Sequence, residues 1–359
     1  MSNLLCLLAG VLLPLVVLLS IARRGMRPMA AATAYRNLAW KLSLEVDRRG
    51  QGVRGYLDGR RLWIAAADPA RGAGPVAAEL GFTLPMAACL RVRPRGVAER
   101  LRRRASVAAR AQTVGDADLD AAFEVSSVEV QTAAALWTEA VRDAMLPLKD
   151  RWRNLWIDDD GLRIVLPAAI TSEPRLRELI DAMRRLAHEL EAARDAAPLP
   201  EGAADTAAAW ASLAERQRLT LLPNRPAVTG ELNGRRTIAA LRRDEHGPHG
   251  MITLFLKEHR PTGLVVHAQR ATDPPSSRGQ DIVLGDPAFD DAFVVKGYDP
   301  GAIRAMLNAD CRSLLSAMAA RGTLSLTDSA LELTHLPVDP AALEALLDEA
   351  SAFADRFGW

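Results

Sequence analysis

The chain has 359 residues, 49% hydrophobic and 25% charged, a balance that excludes a solvated disordered coil and suffices for one or two packed domains. Forty-five Lys and Arg against 44 Asp and Glu leave a net charge of +1, so the global electrostatic signature of a nucleic-acid binder is missing. Three cysteines at unrelated positions make neither a disulfide framework nor a cysteine-based zinc site.

At the N-terminus, Leu4 to Ala22 is a run of 19 residues without a charge. A helix of that length, at about 1.5 Å per residue, spans about 28 Å and just crosses a bilayer core. Met1-Ser2-Asn3 carries no side-chain cation, whereas Arg23, Arg24 and Arg27 follow the run, and the positive-inside bias holds such cations in the cytoplasm. The expectation is an uncleaved signal-anchor, residues 4–22, crossing a bacterial inner membrane once with the rest of the chain cytoplasmic. A signal cleaved near Ala30-Ala31-Ala32 and a re-entrant segment are the alternatives.

Beyond this segment the chain repeats itself. Gly55-Tyr56-Leu57-Asp58-Gly59-Arg60-Arg61 returns as Gly230-Glu231-Leu232-Asn233-Gly234-Arg235-Arg236, and Gly115-Asp116 through Phe123-Glu124-Val125 returns as Gly285-Asp286 through Phe293-Val294-Val295. Leu155, Ile157, Leu162 and Ile164 then match Leu324, Leu326, Leu331 and Leu333. The spacing between matched segments shortens along the chain, as a tandem duplication with loop deletions requires. The expected copies are 28–193 and 207–359, joined by a Pro-, Ala- and Gly-containing linker, 194–206.

Each copy opens with a helix, marked by Tyr35, Leu38, Ala39 and Leu42 or by Trp210, Leu213 and Ala214. A hairpin follows, turned by Asp58-Gly59 or Asn233-Gly234, which accept the positive φ angles of a type I′ turn. Strands are expected near Gly81–Leu84, Cys89–Arg93, Met251–Leu256, Leu264–His267, Phe123–Val125 and Phe293–Val295. Next come single helices over Val130–Lys149 and Pro300–Ala320, hairpins over Leu155–Leu166 and Leu324–Leu336, and closing helices begun by Ser172-Glu173-Pro174 or Asp339-Pro340. The fold class is α+β: a transmembrane helix and two tandem antiparallel-sheet-plus-helices domains.

Phe123-Glu124-Val125, Glu129, Ala133, Leu136 and Thr138 resemble the F-E-V, acid, Ala, Leu, Thr pattern of a family of uncharacterised bacterial membrane-anchored proteins with a soluble domain of unknown function. The second copy keeps Phe293, Val295 and Asp299 but has Met306-Leu307-Asn308 where the family has Leu-Leu-Thr, and Trp137 replaces a Leu. The resemblance implies membrane attachment and fold, and no reaction.

Four groups of residues bear on chemistry. Asp116 and Asp120, and Asp286 and Asp290, are spaced so that a helical turn would set each pair of carboxylates on one face, as a cation or acid–base pair needs, although capping explains Asp286-Pro287 more simply. Arg60-Arg61 and Arg235-Arg236 alternate across a strand and cannot converge on a phosphate. Asp244-Glu245-His246-Gly247-Pro248-His249-Gly250 concentrates imidazoles and carboxylates, but Gly and Pro mark a solvated connection and the first copy has no counterpart, so no physiological metal is assigned. His188, His259, His267 and His335 have no partner at a recognisable spacing and receive no role.

The fourth group is basic: Arg91, Arg93, Arg95, Arg100, Arg102, Arg103, Arg104 and Arg110 against Glu99 give a local charge of +7. This is a candidate membrane-surface segment for anionic lipid, or else a solvated face. Without aromatic residues it makes a poor nucleic-acid surface. No cofactor motif is present. The sequence reads as a membrane-anchored, non-enzymatic interaction protein; a small-ligand sensor using a groove between the copies and an enzyme using the paired carboxylates follow.

Overall fold

A computed structural model describes residues 29–46, 52–66, 75–95, 110–152, 154–200, 202–223, 225–244, 246–256, 262–269 and 280–357. These fall into two compact units, one holding residues up to Leu80 with Ile164–Met183, the other Gly81–Arg163 with the chain from Arg184 on.

In the first unit, residues 29–42 form helix α1, which buries Tyr35, Leu38 and Ala39 as their spacing predicts. Strands β1 (Glu45–Val46), β2 (Val53–Leu57), β3 (Arg60–Ala66) and β4 (Val76–Gly81) pair antiparallel in chain order. Asp58 and Gly59, at φ 52° and 76°, make the expected tight turn between β2 and β3. Lys41 pairs with Glu173 at 3.0 Å, tying α1 to the start of helix α5 (Glu173–Ala196).

The second unit contains the remainder of the first copy: β5 (Arg91–Pro94), β6 (Arg110–Gln112), α2 (Ala117–Ala122), β7 (Phe123–Ser127), α3 (Val130–Ala135), α4 (Glu139–Arg151) and β8 (Leu155–Asp158). Here β5 lies between β8 and β7, and β6 pairs with the far side of β7. Strand β9 (Gly161–Leu166) follows.

The whole second copy repeats this plan. Helix α6 (Ala203–Gln217) leads to β10 (Thr220–Leu221), β11 (Ala227–Leu232), β12 (Arg235–Asp244), β13 (Gly247–Phe255), β14 (Val265–Ala268) and β15 (Gln280–Asp281). Then come α7 (Pro287–Ala292), β16 (Phe293–Gly297), α8 (Pro300–Met306), α9 (Ala309–Ala319), β17 (Thr323–Thr327), β18 (Ala330–Leu336) and α10 (Pro340–Arg356). Its nine strands form one antiparallel sheet in the order β10-β11-β12-β13-β18-β17-β14-β16-β15. One face of that sheet buries Trp210, Phe289, Phe293, Leu315, Leu331, Leu347 and Phe353 against the helices. Trp210 reaches across this core and donates its indole N–H to the Val338 carbonyl at 2.9 Å.

The duplication extends to buried polar contacts. Asp159 accepts from the amides of Cys89 and Leu90 at 2.7 and 2.6 Å, and its counterpart Asp328 accepts from those of Gly263 and Leu264 at 2.7 and 3.1 Å. Each carboxylate fixes the loop that leads into an inner strand. Cys89 takes φ 52° where the second copy has Gly263 at 70°.

Several expected boundaries move. The expected helix over Val130–Lys149 is broken because Thr138 caps α4, accepting from the Val141 amide at 3.3 Å; Asn308 breaks the equivalent helix, accepting from Cys311 at 3.0 Å. The strand expected over Gly81–Leu84 ends at Gly81, since the Thr83 amide and hydroxyl both donate to Glu191. Helix α5 runs on to Ala196 and α6 starts at Ala203.

The membrane anchor is corrected. Among the described residues no helix is long and apolar enough to cross a membrane. Helix α5, at 24 residues, has the length but carries charges on every turn, such as Arg177, Asp181, Arg184 and Glu189. The run Leu4–Ala22 lies outside the described residues. The signal-anchor, the inner-membrane location and the anionic-lipid partner are withdrawn, and the fold stands as two tandem antiparallel α+β copies.

Candidate metal centre

The segment read as a solvated connection belongs to the hairpin that is longest among the described residues. Strands β12 and β13 pair from Thr237↔Leu254 out to Asp244↔Gly247. Alternation along the strands sends Ala239, Leu241, Ile252 and Leu254 into the main core, and Ile238, Ala240 and Met251 to the opposite face. Arg242, Asp244 and His249 share that opposite face, because Arg242 is the cross-strand partner of His249.

A third residue reaches the same face through an irregularity. Strand β18 pairs with β13 at Ile252↔Leu333 and again at Gly250↔Leu336, so two residues, Thr334 and His335, oppose Met251 alone. In a regular strand His335 would face the core and Leu336 the other side. The bulge resets the parity: Leu336 is buried and His335 emerges beside His249. His335 carries the adjustment at φ 58°, in the left-handed region that a non-glycine residue adopts at a cost of about 1–3 kcal/mol. Gly250 permits the close approach, since a Cβ there would lie 3.0 Å from the Pro337 carbonyl oxygen.

Asp244, His249 and His335 thereby offer one ligating atom each, all within 4.8 Å of one another. Asp244 Oδ2 lies 3.3 Å from His335 Nε2 and 3.8 Å from His249 Nδ1. Donors held about 2.0–2.1 Å from a tetrahedral zinc ion sit about 3.3 Å apart, so the Asp244–His335 separation suits a common ion and the wider ones would close on it when bound. The two imidazoles are stacked, centroids 4.5 Å apart.

The surroundings favour ligating forms. Burial would raise the Asp244 carboxyl, but the His246 amide donating to it at 2.7 Å and the nearby imidazoles hold it below its usual range. Burial and the neighbouring His335 lower the pKa of His249, against the opposing effects of Asp244 and of a hydrogen bond to the Gly247 backbone, which favours the neutral ring that a metal needs. His249 Nε2 is buried and has no hydrogen-bond partner among the described residues. His335 Nδ1 lies 3.3 Å from the Thr334 hydroxyl, which can orient the ring.

Sequence reading noted Asp244 and His249 in one segment but assigned them no metal, and it gave His335 no role. Ligands about 90 positions apart meet only through the β13–β18 register. The available signal was the broken alternation, with Leu331 and Leu333 followed by Leu336 where a regular strand would have its apolar residue at 335.

The acidic pairs occupy equivalent turns. Asp116 caps α2, accepting from Leu119, while Asp120 accepts from Val114 and Gly115; Asp286 caps α7, accepting from Phe289, while Asp290 accepts from Leu284, Gly285 and Asp286. Arg312 donates to Asp286 at 3.1 Å, and this contact lowers the pKa of Asp286. Beside that pair a groove of about 500 Å³ runs along α7 and α9, within the second copy.

Of the arginine cluster, Arg91 and Arg93 lie in β5, Arg95 follows it and Arg110 starts β6. Arg95 donates to the Asp120 and Phe123 carbonyls, and Arg93 lies 5.8 Å from the Trp156 ring centroid. Arg100, Arg102, Arg103 and Arg104 lie outside the described residues.

No protein-family model and no curated protein matches the chain. The resemblance to the uncharacterised membrane-anchored family is corrected accordingly, and its residues have structural roles: Phe123, Val125, Ala133 and Leu136 are buried and Thr138 caps a helix. Among solved structures, the crystal structure of the mycobacterial trehalose monomycolate transport factor A, TtfA, matches at TM-score 0.33 and 12% identity, over 45% of this chain and 94% of that chain. A likeness so distant bears no functional argument.

Proposed function

We propose that the protein is a metal-binding protein in which the second of two related α+β copies, taken as 28–193 and 207–359 with 194–206 between, holds a divalent transition-metal ion on Asp244, His249 and His335. The observation that carries this reading is the β18 bulge, which turns His335 out of the core and onto a carboxylate already flanked by His249. Two imidazoles and one carboxylate select zinc-like ions over magnesium or calcium, which favour all-oxygen shells. Three protein ligands leave at least one position for water or an exchangeable ligand, as in zinc sites that are not purely structural. Alignment of the copies puts Val165 or Leu166 where the second has His335, so the site belongs to the second copy.

Calorimetric titration of the untagged full chain with zinc tests this. One ion per chain is expected, with affinity reduced at least about a hundredfold in His249→Ala and in Asp244→Ala. Absence of binding, or equal binding by these variants, would contradict it.

A further inference from the structure

We infer that the first copy tunes the metal affinity of the second through Arg242 and Asp160. The inference rests on the metal-binding reading and concerns its regulation. Arg242 is the direct cross-strand partner of His249 and stands two residues before Asp244, on the same face of β12. Cross-strand partners have Cβ atoms about 4.5–5.5 Å apart, and residues two apart along a strand are about 6.6 Å apart, so a guanidinium flanks the ion's position. That charge cannot be shed by deprotonation near neutral pH. A bound dication therefore meets repulsion from Arg242 unless a nearby anion offsets it.

The first copy supplies that anion. Arg242 donates to Asp160, in the turn between β8 and β9. The turn is braced: the amides of Asp160 and Gly161 donate to Asp158 at 3.0 and 3.1 Å, and the Phe82 amide donates to the Asp160 carbonyl at 2.8 Å. Next to it, Arg243 donates to Glu129, also of the first copy, so the hairpin carrying the ligands is held at both of its terminal arginines. Drawing Arg242 toward Asp160 moves positive charge off the metal face, and losing that contact returns it. Contact between the copies and metal occupancy are then linked, each strengthening the other.

Zinc affinities of four full-length forms test the linkage: the parent chain, Asp160→Asn, Arg242→Gln and the double variant. Asp160→Asn is expected to weaken zinc binding about tenfold and Arg242→Gln to tighten it several-fold. The double variant should match Arg242→Gln, because Asp160 acts only through the arginine. Unchanged affinity in Asp160→Asn would overturn the linkage, and so would a double variant weaker than Arg242→Gln, which would make Asp160 a ligand itself. These failures appear in a parent chain that binds zinc; a parent chain that binds none removes the underlying reading as well.

Discussion

Two groups, buried Asp159 and exposed His335, carry the most specific consequences at the residue scale. Asp159 is fully enclosed, and burial pushes its carboxyl up to about 7 against the opposing effect of two amide donors. Its folded pKa thus lies above its unfolded value, so the native state holds the extra proton between about pH 4 and 7. Stability contributed by this residue is complete below that window and falls as pH rises through it. Chemical denaturation of the parent chain and Asp159→Asn across pH 4–7 should show a slope in that direction which the variant lacks; identical slopes would refute the assignment. His335 pairs its ligand role with a strained backbone, and the two separate in His335→Gly. Glycine adopts positive φ freely, so this variant is expected to lose zinc binding and yet unfold at equal or higher temperature. A destabilised variant would show that the imidazole matters mainly for packing. The Asp58-Gly59 and Asn233-Gly234 turns were legible in the sequence because their chemistry is local. Asp159 and His335 were not, because what each does depends on strands distant in the chain.

Among elements, the β12–β13 hairpin shows where local signals mislead. Gly247, Pro248 and Gly250 read as loop residues, yet the strands pair out to Asp244↔Gly247 because apolar residues at Ile238–Leu241 and Met251–Leu254 bury both faces. Tertiary burial overrides composition here, and with it the setting of Asp244 and His249 changes from a solvated loop to a paired hairpin. The split helices show the reverse: Thr138 and Asn308 are ordinary capping residues whose signal was hidden within continuous helical periodicity. Asn308→Ala should cost about 1 kcal/mol of stability in urea unfolding, leaving the amides at the start of α9 without their side-chain acceptor. A cost near zero would mean that packing of Leu315 and Met318 alone holds that helix.

For the whole molecule, the duplication was the most legible feature, since repeated turns and caps survive divergence. How the copies meet was hidden. Leu84 of the first copy packs on Ala227, Ile238 and Ala240 of the second, a face that a lone copy would leave open with Met251 and Phe255. A fragment of residues 207–359 contains the complete sheet and, apart from the first turn of α6 with Ala203, the core, so it is expected to fold cooperatively but to self-associate in sedimentation as concentration rises. A fragment that stays monomeric and as stable as the full chain would show that this face contributes nothing.

The central claim, an ion held by Asp244, His249 and His335, is tested most directly with cobalt(II), whose visible absorption reports its ligand set. One equivalent added to the full chain should give the intense bands of a low-coordinate nitrogen and oxygen site, and both His249→Ala and His335→Ala should abolish them. A spectrum no different from that of cobalt in water, or one that persists in those variants, would contradict the account.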